Sequence, residues 1–201
     1  MKMFFSPTSP FVRKVSVTAA ELGLAIEHLP SAAGPVKRDQ TIIPQNPLGQ
    51  VPTFITDDGT VLYDSRVICE YLDALAGGNR IFPAPGPDRW RALVEQSLGD
   101  GLLAAALLAR YETVLRPDEK RWDDWYEGQM DKVRTALDAM QEKAAELGDR
   151  VDIGTISMGC ALGYLDFRYP HLPWREGRGA LADWYQTFAQ RPSMESSKPA
   201  A

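Results

Sequence analysis

Cysteine, histidine and long apolar runs are all scarce in this sequence, and each shortage removes a class of function. Among 201 residues the only cysteines are Cys69 and Cys160, far apart in the chain. They cannot build a disulfide framework, a zinc knuckle or a two-cysteine redox motif, which need several thiols at set spacings. His28 and His171 have no ligand partners at useful spacing, so no metal site is expected and both are read as non-catalytic. The longest uncharged apolar run, Gly101 to Ala109, is about half of the ~20 residues that cross a bilayer. No basic segment leading into an apolar core opens the chain, as a secretion signal would require. Positive charge is also short: 22 Lys plus Arg stand against 27 Asp plus Glu, a formal charge of −5. A general nucleic-acid binder, whose affinity rests on neutralising phosphates, is therefore not expected. What remains, at 44% hydrophobic and 24% charged residues, is the composition of a globular protein. The expectation is a cytoplasmic protein with neither membrane nor metal.

Two different periodicities follow one another along the chain. Met3 to Phe5 reads as a strand and is followed by the turn residues Ser6-Pro7-Thr8-Ser9-Pro10. Val12, Val15, Ala19 and Leu22 then fall at helical spacing, and Gly23 supplies a C-terminal stop. Ile26 to Leu29 reads as a second strand, and Thr53 to Ile55 and Thr60 to Leu62 flank the hairpin signal Asp57-Asp58-Gly59. A helix capped by Asp64 carries Val67, Ile68, Tyr71, Leu72 and Leu75. This order of elements predicts a small α/β domain over residues 1–78. Gly and Pro punctuate residues 79–87, which read as a linker. Beyond it, over 88–201, strand signals vanish and all five tryptophans occur. Leu93 to Tyr111, a stripe from Trp122 to Met140, Ile156 to Phe167 and Leu181 to Phe188 read as helices, the third buried on most sides. At its start Thr155 offers a cap, but Met158 stands where a reciprocal acid would, so reciprocal capping is expected to be absent.

Three short segments carry chemistry. Ser9-Pro10 begins the first helix, with Ser9 at the N-cap and Pro10 at the favoured first position. Ser9 is either a cap alone or a hydroxyl that donates to a thiolate, a charge that helix N-termini stabilise. Asn46-Pro47-Leu48-Gly49-Gln50-Val51-Pro52 opens the third strand. Val51-Pro52 is either a plain turn or a cis bond that leaves the Val51 N–H and C=O free for an extended, peptide-like ligand. Asp64-Ser65 starts a helix with Tyr63 and Ile68 placed as a hydrophobic staple, and the same N-terminus can receive a carboxylate.

Taken together, these segments in this order resemble the glutathione S-transferases, and in particular their serine-type bacterial and plant members. Ser6 to Val15 resembles their opening, Asn46 to Phe54 their proline loop, Tyr63-Asp64-Ser65 their γ-glutamyl-binding helix start, and Arg191-Pro192-Ser193 their closing motif. The resemblance spans essentially the whole chain. It implies a thioredoxin-like N-terminal domain, an all-helical C-terminal domain, a homodimer, and glutathione as co-substrate. It also implies that Val51 binds the cysteinyl backbone of glutathione with a cis Pro52 behind it, while Asp64 and Ser65 hold the γ-glutamyl end, assisted by Gln50. Ser9 would stabilise the sulfur, with Ser6 and Thr8 as neighbouring alternatives, and Lys37 would reach the glycyl carboxylate. A small hydrophobic electrophile would lie against the helix ending Arg110-Tyr111, near Trp125, in a detoxifying transfer. Two further functions fit the resemblance: a glutathione-dependent disulfide reductase or peroxidase, and a non-catalytic binding scaffold. Cys69 and Cys160 sit in apolar helical stretches and are expected to be packing residues.

Overall fold

Ser9 and Pro10 start the first helix in the computed structural model, which describes residues 1–199. Helix α1 spans Pro10–Leu22 and is stopped by Gly23, left-handed at φ 72°. Gly23 N–H donates to Ala20 O at 3.1 Å and Leu24 N–H to Ala19 O at 2.9 Å, so two otherwise orphan carbonyls are satisfied. Around α1 lie strands β1 (Lys2–Phe4), β2 (Glu27–Leu29), β3 (Thr53–Ile55) and β4 (Val61–Leu62), in the sheet order β2-β1-β3-β4. The β1–β2 pair is parallel and joined through α1, whereas β1–β3 and β3–β4 are antiparallel. In the hairpin, Gly59 takes φ 86° and Asp58 accepts from Thr60 N–H at 3.0 Å and from the Thr56 hydroxyl. Helix α2 (Ser65–Leu75) completes this part, and Met3, Val15, Phe54, Ile68 and Leu72 are fully buried in its core. Each such side chain is worth roughly 1.5–3 kcal/mol of apolar burial.

Helices α3 (Pro87–Val114), α4 (Asp123–Leu147), α5 (Ile153–Arg168), α6 (Gly179–Phe188) and α7 (Pro192–Ser196) follow, with one 3-10 turn at Asp118–Lys120. The chain divides into two compact units, one made of Met1–Ala92 with the residues from Arg191 onward, the other of Leu93–Gln190. The stretch expected to be a linker is anchored in the first unit. Ile81 and Phe82 are 3% and 2% exposed, and buried Asp73 accepts from the Arg80 and Ile81 N–H groups at 3.1 and 2.7 Å. The closing motif also belongs to the first unit. Arg191 grips Glu21 through two hydrogen bonds of 2.9 Å, Ser193 donates to the same carboxylate at 2.5 Å, and Arg13 donates to Met194 O at 3.0 Å.

In the helical unit, α5 is buried on all sides from Ile153 to Leu165, as its continuous apolar sequence predicts. Its start corrects one expectation. The N-cap is Asp152, three residues before Thr155, and capping is reciprocal: Asp152 Oδ1 accepts from Thr155 N–H and Thr155 Oγ1 from Asp152 N–H, both at 3.0 Å. Thr155 occupies the third helical position, and its hydroxyl does the work a Glu usually does there. Asp152 Oδ2 also accepts from Arg150 at 2.6 Å, and Arg150 spans to Glu95, 2% exposed, at 3.2 Å. By length and composition α3 is the one helix among the described residues that is apolar enough to cross a membrane. Its Leu102, Leu103, Ala106 and Ala109 are buried within the protein and its Glu95 is ion-paired, as in a core helix.

Candidate functional site

The three predicted segments all fall in the first unit, on the loop before α1, the loop before β3 and the start of α2. Ser9 Oγ accepts from Val12 N–H at 3.3 Å and thereby caps α1. A hydroxyl has one donor and two acceptor positions, so this bond leaves the Ser9 proton free to donate. Ser6 and Thr8 are paired hydroxyl to hydroxyl at 3.5 Å. Phe5, Ser6, Ser9, Ser16 and His28 border a cavity of about 270 Å3, which Ser196 to Lys198 also line. His28 stacks on Phe5 at 4.0 Å.

Before β3 the Val51-Pro52 bond is cis. Asn46, 1% exposed, holds this loop from below. Its amide donates to Thr53 Oγ1 at 2.8 Å and to Gln50 O at 3.4 Å, and its oxygen accepts from Leu48 N–H at 3.0 Å. The Thr53 hydroxyl closes the ring by donating to Gln50 O at 2.7 Å. Gly49, at φ 63°, turns the chain where an added Cβ would stand 3.3 Å from Arg38 Nε. With this scaffold in place, neither the N–H nor the C=O of half-buried Val51 makes a hydrogen bond among the described residues. Gln50 is exposed beside it. The positioning role of Asn46 was not foreseen; the motif contains it, but only the fold shows that its amide is buried.

At the start of α2 the Tyr63-Asp64 bond is also cis, and Asp64 Oδ1 accepts from Arg66 N–H at 3.0 Å. Asp64 is exposed, whereas Ser65 is 2% exposed, and the Ser65 hydroxyl and N–H have no partner among the described residues. That leaves donors at the positive end of a helix, where a carboxylate is favoured. Lys37 lies exposed in the irregular segment before Asp39 and forms no ion pair among the described residues. Cys69 is buried in α2, where Thr18 donates to its sulfur at 3.4 Å, and Cys160 is buried in α5. No group of His, Cys, Asp and Glu able to hold a metal occurs among the described residues.

Arg110 and Tyr111 fall in the second unit, half-buried near the end of α3, and burial raises the Tyr111 pKa above its ordinary value. Trp125 is half-buried on α4. Tyr164 and Arg168, which sequence reasoning did not single out, lie one helical turn apart at the end of α5.

A thioredoxin-like sheet domain followed by a helical domain, with a cis-proline loop beside a capped helix start, defines a glutathione-transferase fold. Residues 3–80 match the glutathione S-transferase N-terminal domain family and residues 123–187 the glutathione S-transferase C-terminal domain family. The chain is 30% identical to the uncharacterised GST-like protein YibF of Escherichia coli over 99% of its own length and 98% of that protein's. A glutathione transferase family member from Pseudomonas fluorescens Pf-5, solved with bound glutathione, is 45% identical over 100% of this chain and 99% of its own, with a TM-score of 0.96. A structure of a Pf-5 family member with bound S-(propanoic acid)-glutathione is also 45% identical, at TM-score 0.92 over 100% of both chains. This chain belongs to the glutathione S-transferase family.

Proposed function

We propose that this protein binds glutathione on its first unit and transfers it, as the thiolate, to an electrophile. The observation that carries the reading is the pair of unpaired Val51 backbone groups on the same unit as the free Ser65 donors. They match the backbone and the α-carboxylate of a γ-glutamyl tripeptide. Glutathione bound in the Pf-5 structure supports this assignment. The thioether conjugate in its counterpart is the kind of molecule that transfer to an electrophile forms. In this reading Val51 pairs with the cysteinyl backbone against Pro52, Asp64 and Ser65 hold the γ-glutamyl end with Gln50, and Lys37 reaches the glycyl carboxylate. Residues 1–78 form the glutathione-binding domain, and the helices from residue 88 supply the electrophile site at Arg110 and Tyr111. The cytoplasmic location and the homodimer belong to the same proposal.

Ser9 is the activating residue. A free thiol with pKa ~8.5 is only a few per cent ionised at pH 7, and lowering that value by about 2 units takes ~2.7 kcal/mol of differential stabilisation. One hydroxyl–thiolate hydrogen bond of roughly 1.5–3 kcal/mol, with the dipole of α1, is sufficient. The thiol proton leaves to solvent, the sulfur forms its bond to the electrophilic carbon, and the leaving group departs with its electron pair. The test is the ultraviolet absorbance of thiolate on the glutathione-saturated protein between about pH 5 and 9, followed by turnover with an aryl halide and with a disulfide. A thiolate appearing well below ~8.5, with aryl-halide turnover, supports the transferase. Turnover of the disulfide alone would replace it with a reductase, and no glutathione binding would leave a scaffold.

A further inference from the structure

Most arginines in the helical unit have an acid: Arg116 holds Glu112, Arg150 holds Glu95 and Asp152, Arg175 holds Asp166, and Arg178 holds Asp138. Arg110 and Arg168 have none among the described residues. Both are half-buried, one near the end of α3 and the other in the last turn of α5. The two helix ends are tied together by Tyr169, whose hydroxyl donates to Ala106 O at 2.5 Å, one turn before Arg110. Arg168 lies over the ring of its neighbour Phe167 at 3.9 Å. Tyr164, one turn before Arg168 on α5, is 3% exposed, yet its hydroxyl makes no hydrogen bond among the described residues.

The electrostatics agree with this geometry. A helix C-terminus favours a cation, but burial and the nearby Arg110 charge lower the Arg168 pKa from its ordinary value. Burial pushes the Tyr164 hydroxyl up to about 12, so it is a neutral donor at pH 7. Two mutually repelling guanidinium groups in a half-buried place are unfavourable without an anion between them. Guanidinium forks and phenolic donors suit a planar carboxylate.

We infer that Arg110, Arg168 and Tyr164 form a carboxylate-binding site, so that the electrophile is an acid rather than the purely hydrophobic molecule the family resemblance suggested. This inference rests on the transferase reading for the identity of the ligand, and on the helical unit alone for the site. The Tyr111 ring, half-buried beside Arg110, offers an apolar face for the rest of the molecule.

The test uses para-chloro-meta-nitrobenzoate and para-chloro-meta-nitrobenzamide, which differ in charge and little in shape. Glutathione sulfur attacks the chlorine-bearing carbon in both, the C–S bond forms, and chloride leaves with the electron pair. Each rate is divided by its uncatalysed rate. Binding of the two S-aryl glutathione conjugates is measured by calorimetry, which needs no turnover. The acid is expected to be favoured over the amide by roughly 10- to 100-fold, the range of one charge-assisted hydrogen bond. Arg168→Gln and Arg110→Gln should bring that ratio towards one, and Arg168→Lys should restore part of it. An unchanged far-ultraviolet circular dichroism melt shows that the variants are folded. Equal handling of acid and amide by the unaltered protein overturns the site. So does an equal weakening of both conjugates and of glutathione itself, which would assign the arginines to the tripeptide. If neither compound turns over while the acid conjugate still binds in an arginine-dependent way, the transferase reading fails and the anion site stands.

Discussion

Replacing Ser9 tests both the proposed chemistry and the fold, because in that proposal the same oxygen serves each. Its acceptor lone pair caps α1 through Val12 N–H at 3.3 Å, and in the proposed reaction its hydroxyl donates a hydrogen bond to the glutathione sulfur. Ser9→Ala removes both. Losing the cap costs about 1 kcal/mol of stability, which at this chain length lowers Tm by roughly 2–4 °C. Losing a hydroxyl–thiolate bond of about 1.5–3 kcal/mol raises the bound thiol pKa by about 1–2 units. If the bound thiol of the unaltered protein titrates near ~6.5, the thiolate population at pH 7 falls by roughly 4- to 40-fold. Turnover falls by a smaller factor, because a more basic thiolate is a better nucleophile, with a Brønsted slope of about 0.4–0.5. The thiolate titration is therefore the decisive assay and the rate a supporting one. Ser9→Asp separates the two roles: it keeps a capping acceptor and should hold Tm, but at neutral pH it has no proton to donate and should raise the thiol pKa at least as far as alanine. An unchanged titration in Ser9→Ala would refute the assignment and move it to Thr8 or Ser6, whose variants should then show the shift.

Asp152→Ala removes the reciprocal cap of α5 and one carboxylate of the Arg150 pair, and should cost about 1–3 kcal/mol; a denaturant midpoint within error of the unaltered protein would contradict that role. Glu21 gives a pH signature. The Arg191 hydrogen bonds, against burial and with help from Ser193, hold its carboxyl below its ordinary value near 4.5. Its folded pKa is therefore depressed, so its contribution is present above that ordinary value and is lost as pH falls through the lower folded one. Glu21→Gln should be less stable than the unaltered protein at pH 7, with the gap closing towards pH 3 in urea titrations; a gap constant with pH would show that the carboxylate charge is not what matters. At Gly99 of α3 an added Cβ would stand 2.8 Å from the backbone of Ser157 in α5. Gly99→Ala should cost about 1–3 kcal/mol by overpacking, read as a lower melting temperature, and an unchanged melting temperature would mean the two helices separate without cost.

The sequence alone determined the parts of this protein whose cause is local. The change from short apolar runs to helical periods marks the sheet part and the helical part, because backbone geometry sets the spacing of buried side chains. Ser9-Pro10, Asp64 and Asp57-Asp58-Gly59 declare helix starts and a turn because their bonds close within four residues. The start of α5 shows the limit: the true cap, Asp152, lies three residues upstream of the threonine that looked like one, and either register satisfies the local pattern. Only the tertiary structure decided what distance in sequence conceals. It brings Arg191 and Ser193 onto Glu21 across 170 residues and more, and it buries Asn46 under the loop so that Val51 is left unpaired. At the ends of α3 and α5 it leaves two arginines without acids among the described residues. Such features depend on which charges lose water together and which find a partner, and that is settled by packing, not by neighbours in the chain.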